Sequence, residues 1–123
     1  MNQDLYNNLG AVVSVEPQTV AGDVTGVGVD LLEYGNALFV ASADASTVST
    51  FKLQEGDTLG GSYSDVAASD VIGAQDTSLV QSGTAKIGYI GTKRFVRAFI
   101  THGTGGEQSV TALLGLPRVA PVA

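Results

Sequence analysis

Hydrophobic and polar residues alternate along much of this chain with a period of two. The clearest case is residues 94–101, where Arg94, Val96, Ala98 and Ile100 point one way and Phe95, Arg97 and Phe99 the other. That period marks a β-strand, because successive side chains of an extended chain leave on opposite sides. Both faces of this strand mix apolar and basic residues, and Phe95 and Phe99 read as ordinary core positions. Residues 47–54 set Ser49, Phe51 and Leu53 against Val48, Thr50, Lys52 and Gln54, which places Phe51 and Leu53 in the core. Residues 25–32 set Val27, Val29 and Leu31 against Gly26, Gly28 and Asp30, the pattern of one half-buried strand. Residues 37–43 are a short apolar run, as expected of a strand covered on both faces. Further strands are predicted at 10–15, ending near Glu16 and Pro17, and at 63–67, 85–90 and 109–114.

Between these segments lie residues suited to turns. Glu33, Tyr34, Gly35 and Asn36 predict a turn with positive φ at Gly35 and Asn36. Residues 55–62 read as a loop and residues 102–107 as the hairpin loop between the last two strands. Residues 68–75 have room for one helical turn capped by Ser69 or Asp70. Seven to nine short strands predict an all-β chain: a single β-sandwich or jelly-roll-like domain over residues 11–116. Residues 1–10 and 117–123 are expected to be extended N- and C-terminal arms. Pro117 and Pro121 bar regular sheet pairing beyond about Leu116, and the apolar Val119 and Val122 suit docking on a neighbour.

Composition sharpens this picture. The 123 residues fit one domain, and they are 44% apolar but only 15% charged. Globular chains usually carry about 25% charged residues, so the shortfall implies that partners cover part of the surface. The net charge is −6, and it is divided unevenly. Residues 1–80 hold eleven acids and one base, Lys52, whereas residues 81–123 hold five bases and one acid, Glu107. Such a division attracts copies of the chain or an acidic neighbour. With no cysteine, disulfides and thiol chemistry are excluded. The N-terminus has no signal-peptide pattern and no apolar run approaches the ~18 residues of a membrane helix, so synthesis in the cytoplasm and no membrane partner are expected.

Candidate chemistry is sparse. His102 is the sole histidine and stands in a glycine-rich stretch, with Ser109 and Asp76 as imaginable triad partners, but no G-x-S-x-G elbow is present. It reads as a solvated loop histidine, and no catalytic residue is expected. Gly26, Gly28 and Gly103 to Gly106 lack the helix start or Gly-Lys-Ser/Thr sequence of a phosphate cradle and read as turn and strand-twist glycines. Glu55, Asp57 and Asp65 bracket a polar loop without calcium-loop spacing, so neither metal nor cofactor is expected. Lys86, Lys93, Arg94 and Arg97 interleave with Tyr89, Phe95 and Phe99, a pattern found on strands that stack nucleic-acid bases. The overall acidity opposes direct nucleic-acid binding and favours ion pairs with acidic loops of this chain or the next.

The stretches 51–55 (FKLQE) with its Asp/Gly/Ser loop, 63–67 (YSDVA), 71–74 (VIGA), 87–97 (IGYIGTKRFVR) and 114–118 (LGLPR) together resemble small tailed-phage virion proteins of the capsid decoration, or cement, type. The resemblance runs from about residue 25 to the end. It implies a β-rich structural protein on the outside of an icosahedral head, in the virion, clamping major capsid protein subunits against internal DNA pressure. It implies self-association too, as a trimer ahead of a dimer. The contacts are expected on Lys93, Arg94 and Arg97 and on the terminal segments, including Pro117, Arg118, Val119 and Pro121. Two other classes are a head–tail joining or tail protein and a virion-surface carbohydrate-binding module. The latter is disfavoured by the absence of Trp and by four scattered tyrosines.

Overall fold

The period-two segments form strands, and most connections between them change sheet. The computed structural model describes residues 8–20, 22–44, 48–80, 83–104 and 106–117. In chain order these form β1 (Gly10–Val20), β2 (Val24–Thr25), β3 (Val29–Asp30), β4 (Tyr34–Ala43), β5 (Val48–Gly56), β6 (Ser64–Asp65), β7 (Val71–Ile72), β8 (Thr77–Val80), β9 (Thr84–Tyr89), β10 (Phe95–Thr104) and β11 (Gly106–Pro117). Two antiparallel sheets pack face to face as a β-sandwich. Sheet A has the order β1-β11-β4-β9-β7; sheet B has the order β2-β10-β5-β6, with β3 also on β10 and β8 on β5.

The core lies between them. Sheet A contributes Leu114, Ala37, Tyr89 and Val71 as one transverse row and Ala112, Phe39 and Ile87 as the next. Sheet B answers with Val96, Ala98 and Ile100 of β10 and with Phe51 and Leu53 of β5, all fully buried. Phe51 and Leu53 thus sit where their alternation placed them. Phe95 is buried as well, at 8% exposure, and Phe99 is half-buried, but both lie outside the central cluster, on the opposite side of β10 from Val96, Ala98 and Ile100, where cations cover their rings.

Several other expectations are corrected by contacts that local pattern does not reveal. β10 and β11 are not a hairpin: the first pairs in sheet B, the second in sheet A, and the connection crosses between sheets. β1 continues past Pro17 to Val20, because it is an edge strand whose register shifts between Val15 and Gln18. Proline is tolerated at such an irregularity. The predicted strand 25–32 is two short strands. Between them Gly26 N–H donates to the Ala98 carbonyl at 2.8 Å and Val27 N–H to the Ser14 carbonyl at 2.7 Å. This pulls the chain against β1 and leaves Val27 63% exposed. A Cβ on Gly26 would lie 2.6 Å from Ser14 Oγ and 2.7 Å from the Ala98 oxygen, so only glycine fits there.

The turn before β4 comes earlier than predicted. Asp30 Oδ1 accepts the Leu32 N–H at 3.0 Å and Tyr34 N–H donates to the Leu31 carbonyl. Gly35 and Asn36 are therefore strand residues, and neither has positive φ. The single turn of 3-10 helix, Ala68–Asp70, begins after Ala67 with no side-chain cap, rather than with Ser69 or Asp70 capping it. At the C-terminal end, Pro117 still belongs to β11 and pairs with Tyr34. Residues 1–7 and 118–123, which include Arg118, Val119 and Pro121, lie outside the described residues.

Candidate functional site

Of the basic cluster, Lys93, Arg94 and Arg97 come together at sheet B, where the acidic half of the chain meets them, whereas Lys86 stands apart on sheet A. Arg94 forms a two-point pair with Asp30, Nε to Oδ1 at 2.9 Å and Nη2 to Oδ2 at 2.8 Å. The pairing of Phe95 with Asp30 across β10 and β3 fixes this geometry, and the guanidinium also covers the Phe95 ring at 4.9 Å. Arg97 donates to Gln54 Oε1 at 2.9 Å, its cross-strand partner, and lies over the Tyr63 ring at 4.1 Å. Lys93 reaches Asp57 at 3.1 Å and Lys52 reaches Asp65 at 2.9 Å. The Arg94 guanidinium holds the Asp30 carboxyl below the usual range, and Lys52, with Gln54, does the same for Asp65. Lys93, Arg94 and Arg97 are thus engaged within the chain. Among the described residues, Lys86 alone of the bases makes no such contact.

This arrangement holds apart the carboxylates that bracket the polar loop. Asp57 and Asp65 each face a lysine, and Glu55 accepts the Tyr89 hydroxyl at 2.8 Å. That last bond joins sheet B to sheet A and closes one end of the core, and the same hydroxyl accepts the Lys93 N–H at 3.0 Å. Burial, then the Glu55 contact, push the Tyr89 phenol above its ordinary value. Among the described residues no group of three His, Cys, Asp or Glu side chains is placed to hold a metal ion.

Nor do the imagined triad residues meet. His102 is not a solvated loop residue: it lies in β10 opposite Ser49, half-buried, with its Nδ1 buried and unbonded. Ser109 shares a hydrogen bond with Ser42 Oγ on the exposed side of sheet A, and Asp76 sits in the turn before β8. At this end the core face also carries Ser49 Oγ and both amide atoms of Gln108 without partners. The tyrosines offer no free platform among the described residues either. Tyr63 lies under Arg97, Tyr89 is in the core, and the Tyr34 hydroxyl stands over Gly10.

The surface that sequence reasoning missed is the outer face of sheet A. Ala11, Leu113, Leu38, Gly88 and Ile72 stand opposite one another across all five strands, an uncharged row on the side away from the core. Val13, Thr111, Val40 and Lys86 form the next row. Ile72 is 65% exposed and Ile90, beyond the end of β9, is 54% exposed. Between them runs a groove of about 460 Å³ bounded by Leu9, Leu38, Ile72, Ile90 and Leu113, with Gly88 and Gly115 among its lining residues. The signal for it lies in the apolar run 37–43. That pattern asks for cover on both faces, and the sandwich covers only one: Ala37, Phe39 and Ala41 are buried, Leu38 and Val40 half-buried. Comparisons of the chain with protein-family models, with curated proteins and with solved structures found no match.

Proposed function

We propose that this chain is a structural virion protein that binds the outside of a phage head and stabilises the major capsid protein lattice. The role needs no active site. It needs a rigid body with surface to be covered and many copies engaged at once. The observation that supports it is the set of large apolar side chains left in solvent: Val12, Val13, Val27, Leu32, Leu59, Ile72 and Ile90, each 42–65% exposed. For a chain with 15% charged residues, that is a surface made for contact rather than for solubility. The sequence resemblance to decoration proteins supplies the kind of partner. Lys93, Arg94 and Arg97 are engaged within the chain, with Lys93 and Arg94 still 42% and 47% exposed, and beside them the proposal adds apolar loop positions to the lattice contact. Val27 and Leu59 flank the same spot, since a Cβ on Gly28 would lie 3.0 Å from Leu59 Cδ1.

Copy number in purified virions, measured by quantitative mass spectrometry against the major capsid protein, tests the proposal. A ratio near one, or a simple fraction such as one-third, is expected. A few per cent or less moves the chain to the head–tail junction or tail, and absence from the particle overturns the virion role.

A further inference from the structure

We infer that the outer face of sheet A is a self-association surface, on which a second copy of this chain docks across a two-fold axis. This goes beyond the capsid proposal and holds or fails without it.

Three observations carry the inference. First, among the described residues cover is missing where the strands are built for it. Strand β4 is apolar on both sides from Ala37 to Ala41, yet Leu38 and Val40, with Leu113 of β11 beside them, are only half-buried and Ile72 stands in solvent. Secondly, the relief of the face is self-complementary. Gly88 leaves a hollow between Leu38 and Ile72, because it pairs with both and has no side chain of its own. Beside the hollow rises Ile72, the most exposed large apolar residue described. One knob and one hollow per copy is what an isologous contact requires. Thirdly, charge selects the partner. The chain carries −6, so copies repel one another at most orientations. On this face Glu107 and Asp44 lie at the far end of β11 and β4, and the apolar half carries only Lys86. A cationic partner finds there only Lys86, which repels it, whereas a second copy brings the same apolar relief with one lysine.

The area is sufficient for a reversible dimer. Five strands about 4.8 Å apart and two to three residue pairs along them give roughly 400 Å² of plane per copy. With side-chain relief on both copies the total is on the order of 1,000 Å², the low end of specific interfaces.

Sedimentation equilibrium of the purified chain, with native mass spectrometry, reads this directly. Expected is a concentration-dependent rise from 12.5 kDa to twice that mass. Added salt strengthens the association, because screening removes like-charge repulsion while the apolar contact remains. Gly88→Leu fills the hollow from outside, its Cβ meeting only Ile72 at 3.4 Å and 3.7 Å, and is expected to weaken association at least tenfold with an unchanged circular dichroism spectrum. Ile72→Lys, at a position that is already exposed, serves the same purpose with no packing to lose. A monomer at all concentrations, a three-fold mass, weakening by salt, or wild-type association in the Ile72→Lys chain would each overturn the inference.

Discussion

Ser14 lies on an edge strand but is only 1% exposed, and its hydroxyl serves two backbone groups of the other sheet. It donates to the Val27 carbonyl at 3.0 Å and accepts the Ala98 N–H at 3.1 Å. Ala98 is 84 residues away along the chain, so no window around Ser14 could announce the bond. In sequence the residue is one polar position in an apolar strand. Ser14→Ala takes this partner from the buried Ala98 N–H and from the part-buried Val27 carbonyl, which water can reach, and one orphaned buried group costs about 1–3 kcal/mol. Urea unfolding is expected to show a loss in that range, with the m-value unchanged. A midpoint equal to wild type would mean that water takes over both bonds. Gln75 plays a similar part on the other side of the sandwich. Its amide bonds both the N–H and the carbonyl of Leu53 at 2.9 Å, filling the gap on β5 between β6 and β8.

Strand β10 joins the sequence pattern to the stability of the molecule. Its inward residues Val96, Ala98 and Ile100 bury against sheet A, and its outward residues carry the polar contacts of sheet B. At its start Arg94 lowers the Asp30 carboxyl, and next to it Lys52 lowers Asp65. A carboxyl lowered in the folded state contributes stability that is full above its unfolded value, about 4, and is lost as pH falls through the folded value. The urea midpoint is therefore expected to fall below about pH 4, and Asp30→Asn to flatten part of that decline. Both carboxylates are near half exposed, at 45% and 57%, so the effect is modest and shrinks in 0.5 M salt, a condition in which the Debye length is on the order of 4 Å. A decline as steep in Asp30→Asn as in wild type would assign the acid limb to other groups.

For the whole molecule, the division of charge along the sequence becomes pairing in space. Arg94 finds Asp30 64 residues away and Lys93 finds Asp57 36 residues away, so the basic segment is neutralised by the acidic one of the same chain. The double variant Arg94→Glu with Arg97→Glu is therefore expected to melt several degrees below wild type. At the first position a carboxylate would face Asp30, and at the second the contacts with Gln54 and Tyr63 would be lost. Any failure of that variant to load onto heads would first reflect stability. Val27→Glu with Leu59→Glu separates the two effects: melting should stay at the wild-type value while head binding, followed by co-sedimentation with purified capsids, falls at least tenfold. Normal loading of this second variant would remove the loop tips from the lattice contact.

Alternation along the chain is enough to establish that the protein is all-β, where most strands lie, and that Phe51 and Leu53 point inward. Those are local properties, because an extended backbone sends alternate side chains to opposite sides whatever lies beyond. Sheet membership, by contrast, emerges only from the packing. Of the consecutive strands described, only β5 and β6 pair with each other, so no turn residue could reveal the partners. Packing also seats Phe95 and Phe99 under cations on the far side of β10 from the central cluster and lets the charged residues satisfy one another. Above all it selects which side of β4 the core covers. The alternation of Ala37, Phe39 and Ala41 with Leu38 and Val40 is apolar on both sides, and a single sandwich has only one interior in which to bury them.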